Sequence, residues 1–188
     1  MRIVTLWSSK IATLSQSSLL SVYNQPMLEI RLIQPEEGLA ARRVIYTVAH
    51  EMFHDYETLE ETIAAYATEW PLHDMEDIQK HYLDNGGTFL VLLDDGVIVG
   101  TGSLNRLEEG VGEIKRLWLL ADYQGKGWGY RMMQQLLDEA RRQRYTKVRL
   151  ETNPEYQQRA YLFYKKLGFY DIPRYGSEFD DIGMELIL

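Results

Sequence analysis

A glycine-rich segment in the second half of the chain constrains its fold more than any other feature. The residues before it, Glu113–Leu120, resemble a strand, and the residues after it, up to Arg144, have helical apolar spacing. Alternate glycines allow a tight turn with uncovered backbone N–H groups, and the first N–H groups of the helix add to them. This combination predicts a site for a pyrophosphate or a similar anion, with a ligand-free tight turn as the alternative. The segment reads Gln124-Gly125-Lys126-Gly127-Trp128-Gly129.

The spacing of these glycines excludes two common nucleotide motifs. The Walker pattern, Gly-x-x-x-x-Gly-Lys-Ser/Thr, is absent, and the dinucleotide pattern Gly-x-Gly-x-x-Gly does not fit Gly-x-Gly-x-Gly. The pattern that fits is Gln-x-x-Gly-x-Gly after a strand. It resembles the acetyl-CoA-binding segment of the GNAT superfamily of N-acetyltransferases, where this segment opens the third major helix.

A second segment strengthens the resemblance. Residues Ala160–Phe169 read Ala-Tyr-Leu-Phe-Tyr-Lys-Lys-Leu-Gly-Phe and are similar to the closing helix of the same family. The resemblance covers about Met27–Leu188. One departure is Ala121, at a position where the family often has proline, and it loosens the entry to the glycine turn without removing a hydrogen-bond donor.

The predicted elements follow the family's order: strand, two helices, three antiparallel strands, helix, strand, helix, two strands. We therefore predict an α/β protein with the GNAT fold, a mixed central sheet of about seven strands flanked by about four helices. Apolar periodicity and turn signals give the first elements. These are a strand over Met27–Ile33, a helix start at Pro35, a second helical stretch within Met75–Asp84, and strands Thr88–Leu93 and Val97–Leu104 around Asp94-Asp95-Gly96.

The last elements follow the glycine turn. We predict a strand over Lys147–Thr152 and a final helix that Asn153 caps and that Gly168 ends, with Tyr156 on its apolar face. Strands over 169–172 and 182–188 complete the chain.

Composition excludes several classes of function. The chain has 188 residues, which suits one domain, and a net charge of −8, which argues against nucleic acid as a partner. It contains no run of 18 apolar residues, so we expect no membrane span and a cytoplasmic location. It contains no cysteine, which excludes disulfides and a thiol nucleophile. Any acyl transfer must then proceed without an acyl-cysteine.

Residues 1–26 differ in composition from the rest. They contain six serines and no acidic residue. A transit-like leader has this composition, but we favour a flexible extension, or an upstream start codon before a start at Met27. The acetyltransferase domain is then residues 27–188.

Two side chains are predicted to carry the chemistry of acetyl transfer. The resemblance implies that Tyr164, the tyrosine of the Phe-Tyr pair, donates a proton to the leaving thiolate; the alternative is a core aromatic on the apolar stripe. Glu113 is the predicted general base, because some relatives use a glutamate here, directly or through a water. The alternatives for Glu113 are a solvated carboxylate or an ion pair with Lys115.

The resemblance also implies where acetyl-CoA lies. The backbone of Leu117, Trp118 and Leu119 is expected to bind the pantetheine arm, and the Leu119 N–H to stabilise the oxyanion. The pyrophosphate is expected on residues 124–129. Thr152 and Asn153 are candidates for orienting a water or the cofactor amide, although a helix cap is the better interpretation for the Asn153 side chain.

A different motif predicts a different enzyme. His50-Glu51-Met52-Phe53-His54 is a literal His-Glu-x-x-His, and two histidines four residues apart on a helix can bind zinc. The following Asp55 is atypical of zinc peptidases, and a third ligand is not obvious, although Glu69, His73 and Glu76 are within range. We therefore predict no metal site. A second alternative is a domain that binds acyl-CoA without turnover.

The resemblance places the acceptor between the first two helices and the last hairpin. This is the region His54–Met75, with Tyr66, Trp70 and His73, and the loop Tyr175–Asp180. Its aromatic and acidic residues suit a cationic or aromatic amine, and peptide N-termini, amino acids and polyamines all remain open. We expect a monomer or a homodimer.

Overall fold

A computed structural model describes residues 28–176 and 181–188 of the chain. The predicted N-terminal extension, Met27 and most of the loop 175–180 lie outside the described residues. The described residues contain one mixed seven-stranded sheet with the order β1-β2-β3-β4-β5-β7-β6. Its strands are β1 (Leu28–Leu32), β2 (Thr88–Asp94), β3 (Val97–Glu108), β4 (Val111–Leu119), β5 (Lys147–Thr152), β6 (Tyr170–Ile172) and β7 (Ile182–Ile187).

Four α-helices lie within the described residues: α1 (Gly38–Phe53), α2 (Leu59–Glu69), α3 (Trp128–Arg142) and α4 (Gln158–Lys166). The predicted α/β class, with a mixed sheet of about seven strands and about four helices, is confirmed. None of the described helices has the length and apolar character needed to span a bilayer.

Helix α2 was not predicted. The helical stretch predicted within Met75–Asp84 is a single π-helical turn, Gln79–Leu83. The sequence does carry a signal for α2, because Thr58 and Glu61 form a capping box in which each side chain accepts a hydrogen bond from the other residue's backbone N–H. Around this turn, the side chains of Met75, Ile78 and Tyr82 pack into the same core as α1 and α2.

Apolar side chains form one core on each face of the sheet. Helices α3 and α4 cover one face, where Met132, Leu136 and Tyr164 pack against Val148 and Leu150. Helices α1 and α2 cover the other face, together with the short turns between 73 and 83. The sheet is therefore buried on both sides where β2, β3 and β4 lie, which fixes the position of the strands that line the site.

The start of the last helix also differs from the prediction. Helix α4 begins at Gln158, and the Asn153 side chain accepts a hydrogen bond from the Glu155 N–H at 3.0 Å, so Asn153 stabilises the preceding turn rather than the helix. Tyr156 therefore lies outside the helix and is exposed. The predicted end is confirmed: Gly168 has a φ of 97°, and the N–H of Phe169 donates to the Tyr164 carbonyl.

The sheet opens into a fork between β4 and β5. These are the parallel neighbours, and they pair only over Val111–Glu113 and Lys147–Arg149. Residues 114–119 of β4 continue along β3 without a partner on the other side among the described residues. The fork leaves one edge of β4 accessible to a ligand that can use backbone hydrogen bonds.

Below the fork, β5, β6 and β7 are linked by a charged network around Glu185. The Glu185 side chain is 8% exposed and bonds Arg149 Nε at 2.7 Å and Lys147 Nζ at 2.9 Å. The Tyr170 hydroxyl donates to the same carboxylate. Burial opposes ionisation of Glu185, but these hydrogen bonds outweigh it and lower its pKa to about 2.

Glu185→Gln is expected to lower the free energy of unfolding by about 3 kcal/mol at pH 7. Because the folded-state pKa is depressed, this stabilisation is complete above the unfolded pKa of about 4.3 and is lost as the pH falls toward 2. The difference in free energy of unfolding between wild type and Glu185→Gln, measured by urea unfolding, should therefore be about half as large at pH 3 as at pH 7. An equal difference in free energy of unfolding at pH 7 and pH 3 would contradict this account.

Candidate active site

The glycine turn at the start of α3 is open to solvent and has left-handed backbone geometry. Gly125 has a φ of 72° and Gly127, the N-cap of α3, a φ of 87°. Apart from the adjoining backbone, no heavy atom of the described residues would lie within 4 Å of a Cβ placed on Gly127. The turn therefore requires glycine for its conformation and leaves space directly in front of the first N–H groups of α3, where the positive end of the helix dipole favours an anion.

Two side-chain hydrogen bonds attach this turn to the sheet. Gln124 Nε2 donates to the Leu119 carbonyl at 2.8 Å. The Tyr123 hydroxyl donates to Asp94 Oδ2 at 2.5 Å, and this bond raises the pKa of Tyr123 to about 12. These contacts hold the entry to the turn, where Ala121 replaces the usual proline. The predicted cofactor contact of Gln124 is therefore confined to its backbone in this structure, because its amide group already bonds the chain.

Arg159 is a cation at the turn that sequence reasoning missed. It lies in the first turn of α4, and its Nη1 donates to Gln124 Oε1 at 3.4 Å. A Cβ placed on Gly125 would lie 2.5 Å from Arg159 Nη2. With the exposed Lys126, Arg159 places a second positive charge beside the anion site. Arg159 directly precedes the segment Ala160–Phe169 in the sequence. Its position beside the turn depends on how α4 packs against that turn, which the sequence does not show.

The three residues expected to bind the pantetheine arm lie on the open edge of β4. Leu117 and Leu119 pack toward α3, and Trp118 packs toward the α1 side of the sheet. Leu119 is buried and Trp118 is half-buried. All three lie beyond Glu113, in the part of β4 that has no partner on the β5 side among the described residues.

Tyr164 lies on α4 and is 8% exposed. Its ring packs against Phe163 and Phe169, at centroid distances of 5.4 and 5.8 Å. Burial raises the pKa of Tyr164 to about 12, so its hydroxyl keeps its proton at neutral pH. Tyr164 follows Arg159 by five residues, which is about 7–8 Å along the helix axis. Both sequence interpretations, the proton donor and the core aromatic, thus fit its position.

Glu113 lies where the fork begins, and its side chain is 14% exposed. Its Oε2 is 3.6 Å from Lys115 Nζ, so the ion pair considered as an alternative is present. The Tyr175 hydroxyl is buried without a hydrogen-bond partner among the described residues. Burial, and then the Glu113 and Glu151 carboxylates, raise the pKa of Tyr175. Two carboxylates and a buried hydroxyl therefore meet at the fork. Sequence reasoning identified Glu113 and placed Tyr175 in the acceptor loop, but it missed Glu151.

Thr152 and Asn153, at the end of β5, are already engaged. Thr152 Oγ1 donates to Gln157 Oε1 at 2.7 Å and is buried. The Asn153 side chain bonds the Glu155 N–H. These hydrogen bonds shape the loop that leads from the fork to α4.

The acceptor side differs in part from the prediction. Tyr66 is buried, packs edge-on against Tyr46 and Trp70, and donates to Asp55 at 2.6 Å, so it belongs to the core. His73 is exposed and pairs with Glu76 at 3.1 Å. An aromatic contact that sequence reasoning missed joins Phe53, at the end of α1, to Tyr156, with ring centroids 5.3 Å apart. This pair connects the α1 side to the loop after β5.

The His-Glu-x-x-His motif is split by the end of α1. His50 lies within the helix and bonds Thr62 Oγ1 through Nδ1 at 2.7 Å, whereas His54 is the C-cap with a φ of 54°. The two rings are 6.3 Å apart. Across residues 28–176 and 181–188, no three or more His, Asp or Glu side chains are grouped so that they could hold a metal ion.

With this geometry defined, the chain can be compared with known proteins. The family described as "Acetyltransferase (GNAT) family" matches residues 50–169, which is more than half of the chain. The chain belongs to this family. The matched range includes the glycine turn, the fork and Tyr164, which confirms the resemblance on which the sequence interpretation depended.

Individual relatives agree with this assignment. An "IAA acetyltransferase" from Azospirillum brasilense is 35% identical over 89 residues, which cover 47% of this chain and 58% of that protein. The match thus spans little more than half of that relative's length. An acetyltransferase from Streptococcus agalactiae superposes with a TM-score of 0.71 at 22% identity, over 86% of this chain and 98% of the other.

A further neighbour is PaiA N-acetyltransferase from Thermoplasma acidophilum, whose structure contains coenzyme A. Its TM-score is 0.67 at 19% identity, over 86% of this chain and 99% of the other. At these identities the two solved structures show a shared fold.

Proposed function

We propose that the chain transfers an acyl group, most simply acetyl, from acyl-CoA to an amine. The observation that carries this proposal is the open glycine turn at the start of α3 beside the fork between β4 and β5. The turn offers N–H groups, Lys126 and Arg159 to a pyrophosphate, and the fork offers a strand edge to the arm that follows it. The coenzyme A in the structure of PaiA N-acetyltransferase supports the same donor.

The acyl group moves by direct attack in a ternary complex. The chain has no cysteine to form an acyl-enzyme thioester. The amine nitrogen forms a bond to the thioester carbon, the C–S bond breaks, and the Leu119 N–H stabilises the oxygen that becomes negative. The ammonium form loses one proton to Glu113, directly or through a water, before attack, and the nitrogen releases a second proton to solvent as the amide forms.

Tyr164 acts on the leaving thiolate through a hydrogen bond. A CoA-type thiol has a pKa of about 8.5, whereas the pKa of Tyr164 is raised to about 12. Complete proton transfer would be uphill by about 5 kcal/mol, so donation of a hydrogen bond in the transition state is favoured, with the final proton coming from solvent. Ionisation of Tyr164 therefore does not limit activity below about pH 11.

The acceptor is a cationic amine. Glu113 and Glu151 both lie at the fork around the Tyr175 hydroxyl, and the chain carries a net charge of −8. Such a site attracts an ammonium group and provides the base that deprotonates it. Polyamines, amino acids and peptide N-termini are members of this class.

An acceptor screen tests the proposed function. Acetyl-CoA is incubated with each amine, and the released CoA is measured with a thiol reagent, to which the protein itself contributes nothing because it lacks cysteine. Amine-dependent thiol release with at least one cationic amine is expected. Binding of acetyl-CoA without release for any amine would favour an acyl-CoA sensor instead.

Glu113→Gln is expected to lower kcat about 10²-fold at pH 7. The loss should become smaller toward pH 10, because an acceptor amine of pKa about 10.4 then supplies its own lone pair. Initial rates between pH 6 and pH 10 measure both effects. Glu108→Gln is the matched control, because Glu108 is an exposed carboxylate that pairs with Arg149 at 2.9 Å. Equal losses at every pH would argue against Glu113 as the base.

A further inference from the structure

Strand β4 carries one extra residue directly before the segment expected to bind the thioester arm. Its register on β3 shifts by one residue here, so that Arg116 and Leu117 together lie opposite Gly102. Arg116 has a φ of 56°, in the left-handed region that disfavours a residue with a Cβ. As a result Ile114 and Leu117 pack on the same face of the sheet. This β-bulge sets which way the backbone of residues 117–119 is directed.

One carboxylate holds the side chain of the bulge residue. Asp74 lies in the 3-10 turn His73–Met75, on the α1 side of the sheet. Its Oδ1 accepts from Arg116 Nη2 at 2.6 Å and its Oδ2 from Arg116 Nε at 3.0 Å, which is a bidentate pair. The hydroxyl of Tyr82, in the π-helical turn, donates to the same carboxylate. The Arg116 side chain is 16% exposed, so the pair is largely shielded from water.

Two hydroxyls of β3 hold the backbone of the bulge. Thr101 Oγ1 donates to the Arg116 carbonyl at 2.7 Å, and Ser103 Oγ donates to the Lys115 carbonyl at 3.0 Å. A bulge interrupts the ladder of backbone hydrogen bonds, and these side chains bond carbonyls at the interruption. Side chains of β3 therefore hold the backbone carbonyls of the bulge, and Asp74 holds the Arg116 side chain.

We propose that Asp74 is a positioning residue for acyl transfer: its partly buried pair with Arg116 keeps the bulge left-handed and thereby directs the Leu117–Leu119 backbone into the fork. The consequence for catalysis rests on the proposed function. The effect of Asp74 on the Leu117–Leu119 backbone is independent of the proposed function, because it follows from the contacts of the bulge itself. The Tyr82 hydroxyl and Arg116 Nε donate to the same oxygen of Asp74, so Tyr82 also holds this carboxylate in place.

Substitutions at Arg116 separate backbone positioning from the burial of charge. Asp74→Asn removes the negative charge, so Arg116 loses the ion pair that holds its side chain and with it the support for its left-handed backbone. Adding Arg116→Gly removes the unpaired charge and also permits the left-handed backbone without a Cβ. Adding Arg116→Leu removes the charge equally but keeps a Cβ in the left-handed region. Both double variants lack the charge at position 116. They are compared to ask whether residue 116 can adopt the left-handed conformation without the pair to Asp74, which glycine permits and leucine disfavours.

The test measures amide hydrogen exchange at Leu117–Leu119 in the free protein, and then kcat and the Kd for acetyl-CoA. Asp74→Asn should speed exchange at these amides and lower kcat, each about 10–100-fold. Asp74→Asn/Arg116→Gly should return both to within about threefold of wild type, whereas Asp74→Asn/Arg116→Leu should not. Glu37→Gln, which breaks the bidentate pair of Glu37 with Arg31, should leave these amides unchanged.

The outcomes are distinguishable. Equal recovery in both double variants, recovery in neither, or no change in Asp74→Asn would overturn the positioning role. If Asp74→Asn alone does not fold, the comparison between the two double variants still decides. Failure of wild type to bind acetyl-CoA would instead overturn the proposed function, while the exchange measurement would still test the bulge.

Discussion

Gly127→Glu should lower the affinity for acetyl-CoA at least 100-fold, a loss of about 3 kcal/mol or more. Gly127 is the N-cap of α3, and beyond the adjoining backbone no atom of residues 28–176 or 181–188 lies within 4 Å of a Cβ placed on it. The carboxylate would then lie where the pyrophosphate is expected and would repel it at the positive end of the helix. Isothermal titration calorimetry with acetyl-CoA measures the effect.

Gly86 provides the matched control. Its φ is 71°, close to the 87° of Gly127, and a Cβ on it would also meet no atom of the described residues within 4 Å beyond the adjoining backbone. Gly86 precedes Thr88 at the start of β2, whereas the glycine turn follows Leu119, which pairs with Gly100 opposite Leu92, near the other end of β2. Gly86→Glu should therefore carry a similar backbone strain but change the affinity by less than about threefold. An equal loss of affinity in both variants would show that strain, rather than the anion site, is responsible.

Tyr164→Phe should lower kcat by about 10²–10⁴ while the affinity for acetyl-CoA stays within about threefold. The hydroxyl is the only group removed, and the ring keeps its contacts with Phe163 and Phe169. Because the pKa of Tyr164 is raised to about 12, the hydroxyl is protonated throughout the assay range. The fold reduction in kcat should therefore be the same from pH 6 to pH 10. Single-turnover rates with a saturating acceptor measure this change.

Tyr161→Phe makes the same substitution on the same helix. Its hydroxyl donates to Asp171 at 3.0 Å on the exposed side of α4. Activity should therefore stay near wild type, since an exposed hydrogen bond of this kind contributes little. Wild-type kcat in Tyr164→Phe would leave Tyr164 as a core aromatic and would transfer the role of hydrogen-bond donor to another group.

The features that were predictable are those encoded within a few neighbouring residues. The glycine turn needs only Gly125 and Gly127 between a strand and a helix, and the hairpin before β3 needs only Asp95 and Gly96. Gly168 ends α4 for the same reason, because its φ of 97° suits glycine. Together with the resemblance to the GNAT fold, these local signals were enough to predict the sheet and its helices except α2.

The features that were not predictable depend on contacts between distant residues. Arg159 reaches the glycine turn only because α4 packs beside it, and Asp74 meets Arg116 only after β4 has taken its register on β3. Asn153 resembled a helix cap because asparagine before proline is a common helix start, yet a further turn precedes α4. The cytoplasmic location and the oligomeric state remain predictions.

A crystal structure of the protein with CoA tests the central claim most directly. The account predicts the pyrophosphate within about 3 Å of the backbone N–H groups of residues 125–129, with the pantetheine arm along Leu117–Leu119 in the fork. Density for CoA at another surface, or none at saturating concentration, would contradict it.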